Sequence, residues 1–275
     1  MLHNGATAVA KSEHAEAKPR AARARVIAVT NQKGGVGKTT TAINLSADLA
    51  RRGRRVLLVD ADPQGNATTG IGIEKTSLPG CIYDVLVKDQ PLEAVIRPSG
   101  VASLSVAPAT LNLAGAEIEL VSAISRELRL RNALEPSLPS YDDVVIDCPP
   151  SLGLLTLNAM SAADRLIVPI QAEYFALEGL GQLTGVIELV NRHLNPKIAI
   201  LGVLITMFDG RTNLAAQVVE EVERFFPGLV FQTRVPRSVR LSEAPSHGTP
   251  IGLFDPKGKG AAAYAALAEE VLARE

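Results

Sequence analysis

The sequence predicts a doubly wound α/β domain, a single and mostly parallel sheet with helices on both faces. Two observations carry this. From Arg25 onward, short apolar runs alternate with helix-length stretches, the order expected of repeated βαβ units. Several of those runs, such as Val56–Val59 and Val144–Ile146, are continuously apolar, which suits strands covered on both faces.

The elements follow in order. Residues 1–24 are rich in Ala, Lys, Arg and Glu without apolar periodicity and read as a flexible charged tail; residues 25–275 read as the folded domain. Arg25–Thr30 (RVIAVT) is the first strand, Lys38–Arg52 the first helix and Arg55–Asp60 (RVLLVD) the second strand. Residues 63–100 read as loop-rich, broken by Gly65, Gly70, Gly72, Pro79 and Gly80. Leu104–Pro108 reads as a strand, Glu117–Leu134 as a helix, and Asp143–Ile146 as a strand stopped by Pro149 and Pro150. Leu166–Pro169 and Ile198–Met207 are strands separated by a helix at Leu177–His193. Asn213–Phe226 is helical, Val230–Val235 is strand-like and Gly260–Arg274 is an Ala-rich helix.

Composition narrows the function classes. With 275 residues, 47% apolar and 21% charged, the chain has material for a sizeable core, and global disorder is excluded. Aromatics are 4% and Trp is absent, so stacking platforms are poor candidates. The longest largely apolar stretch, Ile198–Phe208, is about half the ~20 residues that a membrane-spanning helix needs. Cys81 and Cys148 are too few for a disulfide scaffold or a four-thiolate metal site, and no secretory signal is recognisable, so a reducing cytoplasm is expected. Net charge is −1, but residues 1–25 hold five basic groups against two acidic ones. The mildly acidic remainder argues against a protein coated in positive charge and leaves room for a local basic patch.

The segment that carries chemistry is Asn31–Thr40 (NQKGGVGKTT), between the first strand and the first helix. Gly34, Gly35 and Gly37, with Val36 among them, let several backbone N–H groups turn inward as an anion nest. The helix that starts at Lys38 adds its positive dipole end. Lys38 can reach β- and γ-phosphates, the Thr39 hydroxyl suits a Mg²⁺ ligand, and Thr40 completes the turn. Against the usual pattern G-x-x-x-x-G-K-[ST], the first glycine is replaced by Gln32, with Lys33 beside it.

KGGVGKTT resembles the deviant P-loop of the ParA/MinD ATPases, and the resemblance extends from about Val26 to Pro250. It implies a P-loop NTPase fold, ATP and Mg²⁺ as cofactors, and a homodimer formed on ATP binding. Lys33 matches the signature lysine that crosses to the partner's nucleotide. Asp62, in DADPQGN, matches the carboxylate near the attacking water and the outer metal shell. Asp147, in DCPP, matches the aspartate that holds Mg²⁺ through water. Met207 and Pro236 match positions lining the adenine pocket.

Within that family, TMFDGRTN, VPRSVR and LSEAPSHG resemble the ParA/Soj-type chromosome-partitioning branch. The resemblance implies an ATP-bound dimer that binds double-stranded DNA without sequence preference, through Arg211 and Arg240, with Arg237 a further candidate. It also implies hydrolysis, weak alone, stimulated by a ParB/Spo0J-like centromere-binding partner, and a cytoplasmic, nucleoid-associated protein. Two other branches fit less well. A MinD-like regulator needs a basic amphipathic C-terminal helix, whereas Ala261–Glu275 carries Glu269, Glu270 and Glu275 against Arg274. An iron–sulfur carrier needs paired thiolates at a dimer axis, whereas Cys148 reads as a buried strand-end side chain.

Overall fold

In the computed structural model, which describes residues 23–173 and 178–274, eight strands form one sheet. In chain order they are β1 (Arg25–Val29), β2 (Val56–Asp60), β3 (Arg97–Pro98), β4 (Leu104–Ala107), β5 (Asp143–Asp147), β6 (Arg165–Gln171), β7 (Ala199–Phe208) and β8 (Val230–Pro236). The sheet order is β3-β4-β2-β5-β1-β6-β7-β8, and every pairing is parallel except β3 with β4.

Five helices follow the strands of the first half: α1 (Lys38–Arg51), α2 (Asn66–Gly70), α3 (Ile82–Lys88), α4 (Leu92–Val95) and α5 (Leu113–Glu119). Next come α6 (Arg129–Leu134), α7 (Leu154–Ala162), α8 (Glu178–His193) and α9 (Asn213–Phe225). The chain ends through α10 (Val239–Glu243), α11 (Ile251–Phe254) and α12 (Lys259–Ala273).

The strands divide their side chains between two cores because successive Cβ atoms leave a strand on opposite faces. Val26 and Ala28, Leu57 and Val59, and Val144 and Ile146 join one core, with α3, α5, α6 and α7. Ile27 and Val29, Val56 and Leu58, and Val145 join the other, with α1 and α12. Both layers close over the sheet, which explains why the strands show no apolar–polar alternation.

At the amino ends of the central strands an ion cluster fixes their starts. Asp143, fully buried at the start of β5, accepts from Arg25 Nε (3.0 Å) at the start of β1 and from Arg54, two residues ahead of β2. β1, β2 and β5 then run in register to Val29, Asp60 and Asp147 at their carboxyl ends.

Three readings need correction. The helix expected over Glu117–Leu134 is two helices, α5 and α6, joined by 3₁₀ turns with Ser125 in the left-handed region (φ 52°). The intervening Leu-Val-Ser-Ala-Ile-Ser run holds two β-branched residues and two serines, which favour a helix less than their neighbours do. The stretch 63–100 is not loop-rich throughout, since it holds α2, α3, α4 and β3. Helix α7 was not foreseen: it lies between Pro149-Pro150 and β6, and its buried residues surround the axis, leaving no amphipathic period to read. The proposed charged tail falls outside the described residues up to position 22, whereas Ala24 is already buried.

Candidate nucleotide site

The loop 30–37 leaves β1 at the carboxyl end of the sheet and turns directly into α1. Gly35 (φ 74°) and Gly37 (φ 88°) occupy backbone conformations that side-chain-bearing residues avoid, and these two turns curl the loop back on itself. Asn31 and Thr206 brace it. Asn31 Oδ1 accepts the Lys33 N–H (3.0 Å) and its Nδ2 donates to Pro169 O, while Thr206 Oγ1 donates to Val36 O (2.9 Å). Val36 is buried under the loop.

The two lysines of the loop face different ways. Lys38 is 6% exposed, and its Nζ donates to the Lys33 carbonyl (3.0 Å), so the ammonium lies inside the curl. Burial pushes it below the usual lysine range, and the opposing charges of Asp147 and Asp62 restore part of the shift. Lys33 points outward, more than a third exposed, with Nζ 3.5 Å from Glu173 just past β6.

The aspartates gather at the ends of neighbouring strands. Asp60 and Asp147 are paired in register on β2 and β5, and Asp62 follows in the loop after β2. Both Asp147 oxygens are fully buried and without a hydrogen-bond partner. Burial raises its pKa well above the usual carboxylate range; Asp60 and Asp62 add to this, and the nearby Thr39 hydroxyl and Lys38 oppose it. A buried carboxylate left without a partner is costly unless something positive arrives. No group of three or more acidic, His or Cys side chains forms a cation cage among the described residues. The hard oxygens of Thr39, Asp62 and Asp147 therefore fit a magnesium ion that takes its remaining ligands from phosphate and water.

Beside the loop lies a cavity of about 430 Å³, within the range of small-molecule sites. Gly37, Thr39, Thr40, Met207, Pro236 and Arg237 all line it, so six positions singled out in the sequence converge there. Met207 is held at φ 50°, a strained backbone that turns the end of β7 toward the cavity. The sequence reading missed Ile43, Leu241 and Tyr264 on the same walls. Tyr264 comes from α12, and its OH lies 3.3 Å from Thr41 Oγ1. The one available signal was a lone tyrosine in an alanine-rich helix.

The arginines lie outside this cavity or on its rim, and each has an acidic neighbour. Arg211 forms a two-pronged pair with Asp209 (2.9 and 2.7 Å), which holds that carboxyl down to about 2. Arg240 pairs with Glu243 (3.1 Å) and lies over the Phe254 ring. Arg237 is 3.9 Å from Glu173, the carboxylate that also meets Lys33. Arg234, at the same spacing in sequence, is half-buried against Glu223.

A backbone nest at a helix start, beside a carboxylate awaiting a cation, is built for a polyphosphate. The chain is thus a P-loop nucleotide-binding protein. A family described as AAA domain matches residues 24–200. The chain is 59% identical over 249 residues to the sporulation initiation inhibitor protein Soj of Bacillus subtilis, covering 90% of this chain and 98% of Soj. It is 56% identical over 251 residues to the chromosome partitioning protein ParA of Myxococcus xanthus, covering 91% and 89%. Among solved structures, cobyrinic acid a,c-diamide synthase of Mycobacterium smegmatis with ADP and magnesium aligns at a TM-score of 0.80, with 39% identity over 90% of this chain and 94% of that one. The septum site-determining protein MinD of Pyrococcus horikoshii, complexed with Mg-ADP, aligns at 0.74 with 27% identity over 90% and 96%. The chain belongs to the ParA/Soj family of chromosome-partitioning ATPases.

Proposed function

We propose that this protein partitions DNA by an ATP-driven dimer cycle: the ATP-bound dimer holds duplex DNA without sequence preference, and hydrolysis stimulated by a ParB-like partner releases it. The observation that carries this reading is the split between the two loop lysines. Lys38 is committed inward to its own phosphate loop, whereas Lys33 stands at the surface, where a second subunit's nucleotide can be reached. A cation supplied across an interface makes hydrolysis depend on dimerisation.

In this reading ATP fills the loop and the adjoining cavity, with its base among Met207, Pro236 and the apolar walls. Thr39 and Asp147 hold Mg²⁺, Asp147 through water, and Asp62 stands in the outer shell. Bound Mg²⁺ neutralises phosphate charge. Asp62 orients the attacking water by hydrogen bonding and need not be a strong base. Arg211 and Arg240, with Arg237, meet DNA phosphates, contacts that position without reading bases.

Two structural facts weigh against the other branches. The apolar side of α12 (Tyr264, Leu267, Ala268 and Val271) is in the core, so this helix has no free apolar face to lay on a membrane. Both cysteines are buried, and burial pushes the Cys148 thiol far up, the opposite of a cluster-binding thiolate. A cytoplasmic, nucleoid-associated protein follows from the reading, with residues 25–275 as the ATPase domain and 1–24 as an appended charged segment. The test is to size the protein with ADP and with ATP, each with and without an arbitrary duplex. A dimer and DNA retention with ATP alone are expected; an ATP dimer that ignores every duplex would remove the protein from this cycle.

A further inference from the structure

Asp60 is a buried carboxylate for which the chemistry above has no use. It ends β2, two residues ahead of Asp62, and is fully buried. Its Oδ2 accepts two bonds from Thr68 on α2, one from the N–H and one from the hydroxyl, both at 2.7 Å. Its Oδ1 accepts the Asp62 N–H at 3.2 Å. Thr68 Oγ1 in turn accepts the Ala109 N–H (2.9 Å), just past β4. Thr68 is itself fully buried, so no water competes for any of these groups. The hydrogen bonds enclose the segment that carries Asp62, tying its start to β2, its far end to α2, and both to the neighbouring strand.

We propose that Asp60 is the positioning residue for Asp62, holding the 60–68 loop so that the Asp62 carboxylate meets the attacking water. The inference rests on the reading of Asp62 given above. Its chemistry is specific. Three donors converge on two oxygens, which an ionised carboxylate accepts at once and an amide cannot, because one of its two heads is itself a donor. An apolar residue at a strand end would serve packing better, since burying a carboxylate is unfavourable; burial pushes Asp60 up to about 6 even with the Thr68 bonds opposing it. The loop's other restraints include its own turn, with the Gly65 N–H on Asp62 O and the Gln64 N–H on Asp62 Oδ1 (both 2.9 Å), the Ala61 N–H on Asp147 O (2.9 Å), and Lys75 on Gln64 O (2.8 Å); none of these ties the loop to α2 as Asp60 does.

The experiment compares Asp60→Asn, Thr68→Val and Thr68→Ser with Asp62→Ala in the full chain. It measures ATPase turnover, ATP affinity and amide hydrogen exchange over residues 61–70. Asp60→Asn and Thr68→Val should each lower kcat by about tenfold, part of the hundredfold that a 1 Å misplacement can cost, while ATP affinity holds. Exchange over the loop should quicken in both. Thr68→Ser keeps the hydroxyl and should keep the parental rate and protection. Parental turnover by Asp60→Asn overturns the proposal. So does a Thr68→Ser variant as slow as Thr68→Val, or loss of ATP affinity along with turnover, since either makes the network mere scaffolding. Thr68→Val removes the hydroxyl's bond to Asp60 and its bond from the Ala109 N–H, leaving the backbone donors and the charge in place, which covers an Asp60→Asn chain that fails to fold. If Asp62→Ala alone hydrolyses at the parental rate, it is the reading of Asp62 that fails.

Discussion

Removing Arg240 and, separately, its acidic neighbour should move DNA binding in opposite directions. Arg240 lies 3.1 Å from Glu243, and both side chains are substantially exposed. In the proposed cycle the arginine leaves this pair to meet a phosphate. Each phosphate contact contributes roughly 0.9 to the slope of log K against log salt, so losing Arg240 from both subunits should flatten that slope by about 1.8. Glu243→Gln removes the competitor. Taking about 0.5 kcal/mol for an exposed ion pair, two subunits gain about 1 kcal/mol, which is roughly fivefold tighter binding. The assay is fluorescence anisotropy on two unrelated duplexes across a salt series, with ATP present and hydrolysis blocked by Asp62→Ala. Both effects should be equal for the two sequences. An unchanged slope for Arg240→Ala, or unchanged or weaker binding by Glu243→Gln, refutes a phosphate role for Arg240.

Gly34→Val should bind ATP and stay monomeric by light scattering: a Cβ there meets nothing within 4 Å in the single chain, so only an opposing subunit can object. Lys38→Ala should lose ATP affinity by calorimetry, because the buried ammonium inside the loop has no substitute; ATP binding at parental strength would remove the phosphate-loop assignment. Thr39→Ala should bind nucleotide yet lose the dependence of hydrolysis on Mg²⁺, as titration of the metal would show. Asp62→Ala should give an ATP dimer that persists on DNA, measured as a slowed dissociation rate; release at the parental rate would argue that Asp62 is only a turn residue.

The central sheet was legible because its strands are continuous apolar runs punctuated by Gly and Pro, and β1, β2 and β5 fall where Arg25, Val56 and Asp143 suggest. The loop was legible because its chemistry is local: glycines, a lysine and a hydroxyl within ten residues. Helix α7 and the break at Ser125 were not, since one is set by burial on all sides and the other by backbone conformation. Tyr264 and Ile43 reach the cavity only because α12 and α1 pack together, a long-range contact that no local pattern reports. Nor does spacing show partners. Arg234, Arg237 and Arg240 look alike in sequence, yet Arg234 is half-buried against Glu223 and Arg237 shares Glu173 with Lys33.

The Asp143 cluster sets the alignment of a site it never touches. Four strand steps of about 3.3 Å separate it from Asp147, so some 13 Å of rigid ladder carry its influence. Arg25 and Arg54 on one carboxylate fix where β1, β2 and β5 begin, and thereby where Val29, Asp60 and Asp147 end. A slip of one residue would turn Asp147 to the opposite face of the sheet. The nucleotide site therefore inherits its geometry from charges at the remote edge, and damage there would present as an enzyme unable to seat its metal rather than as an unfolded one.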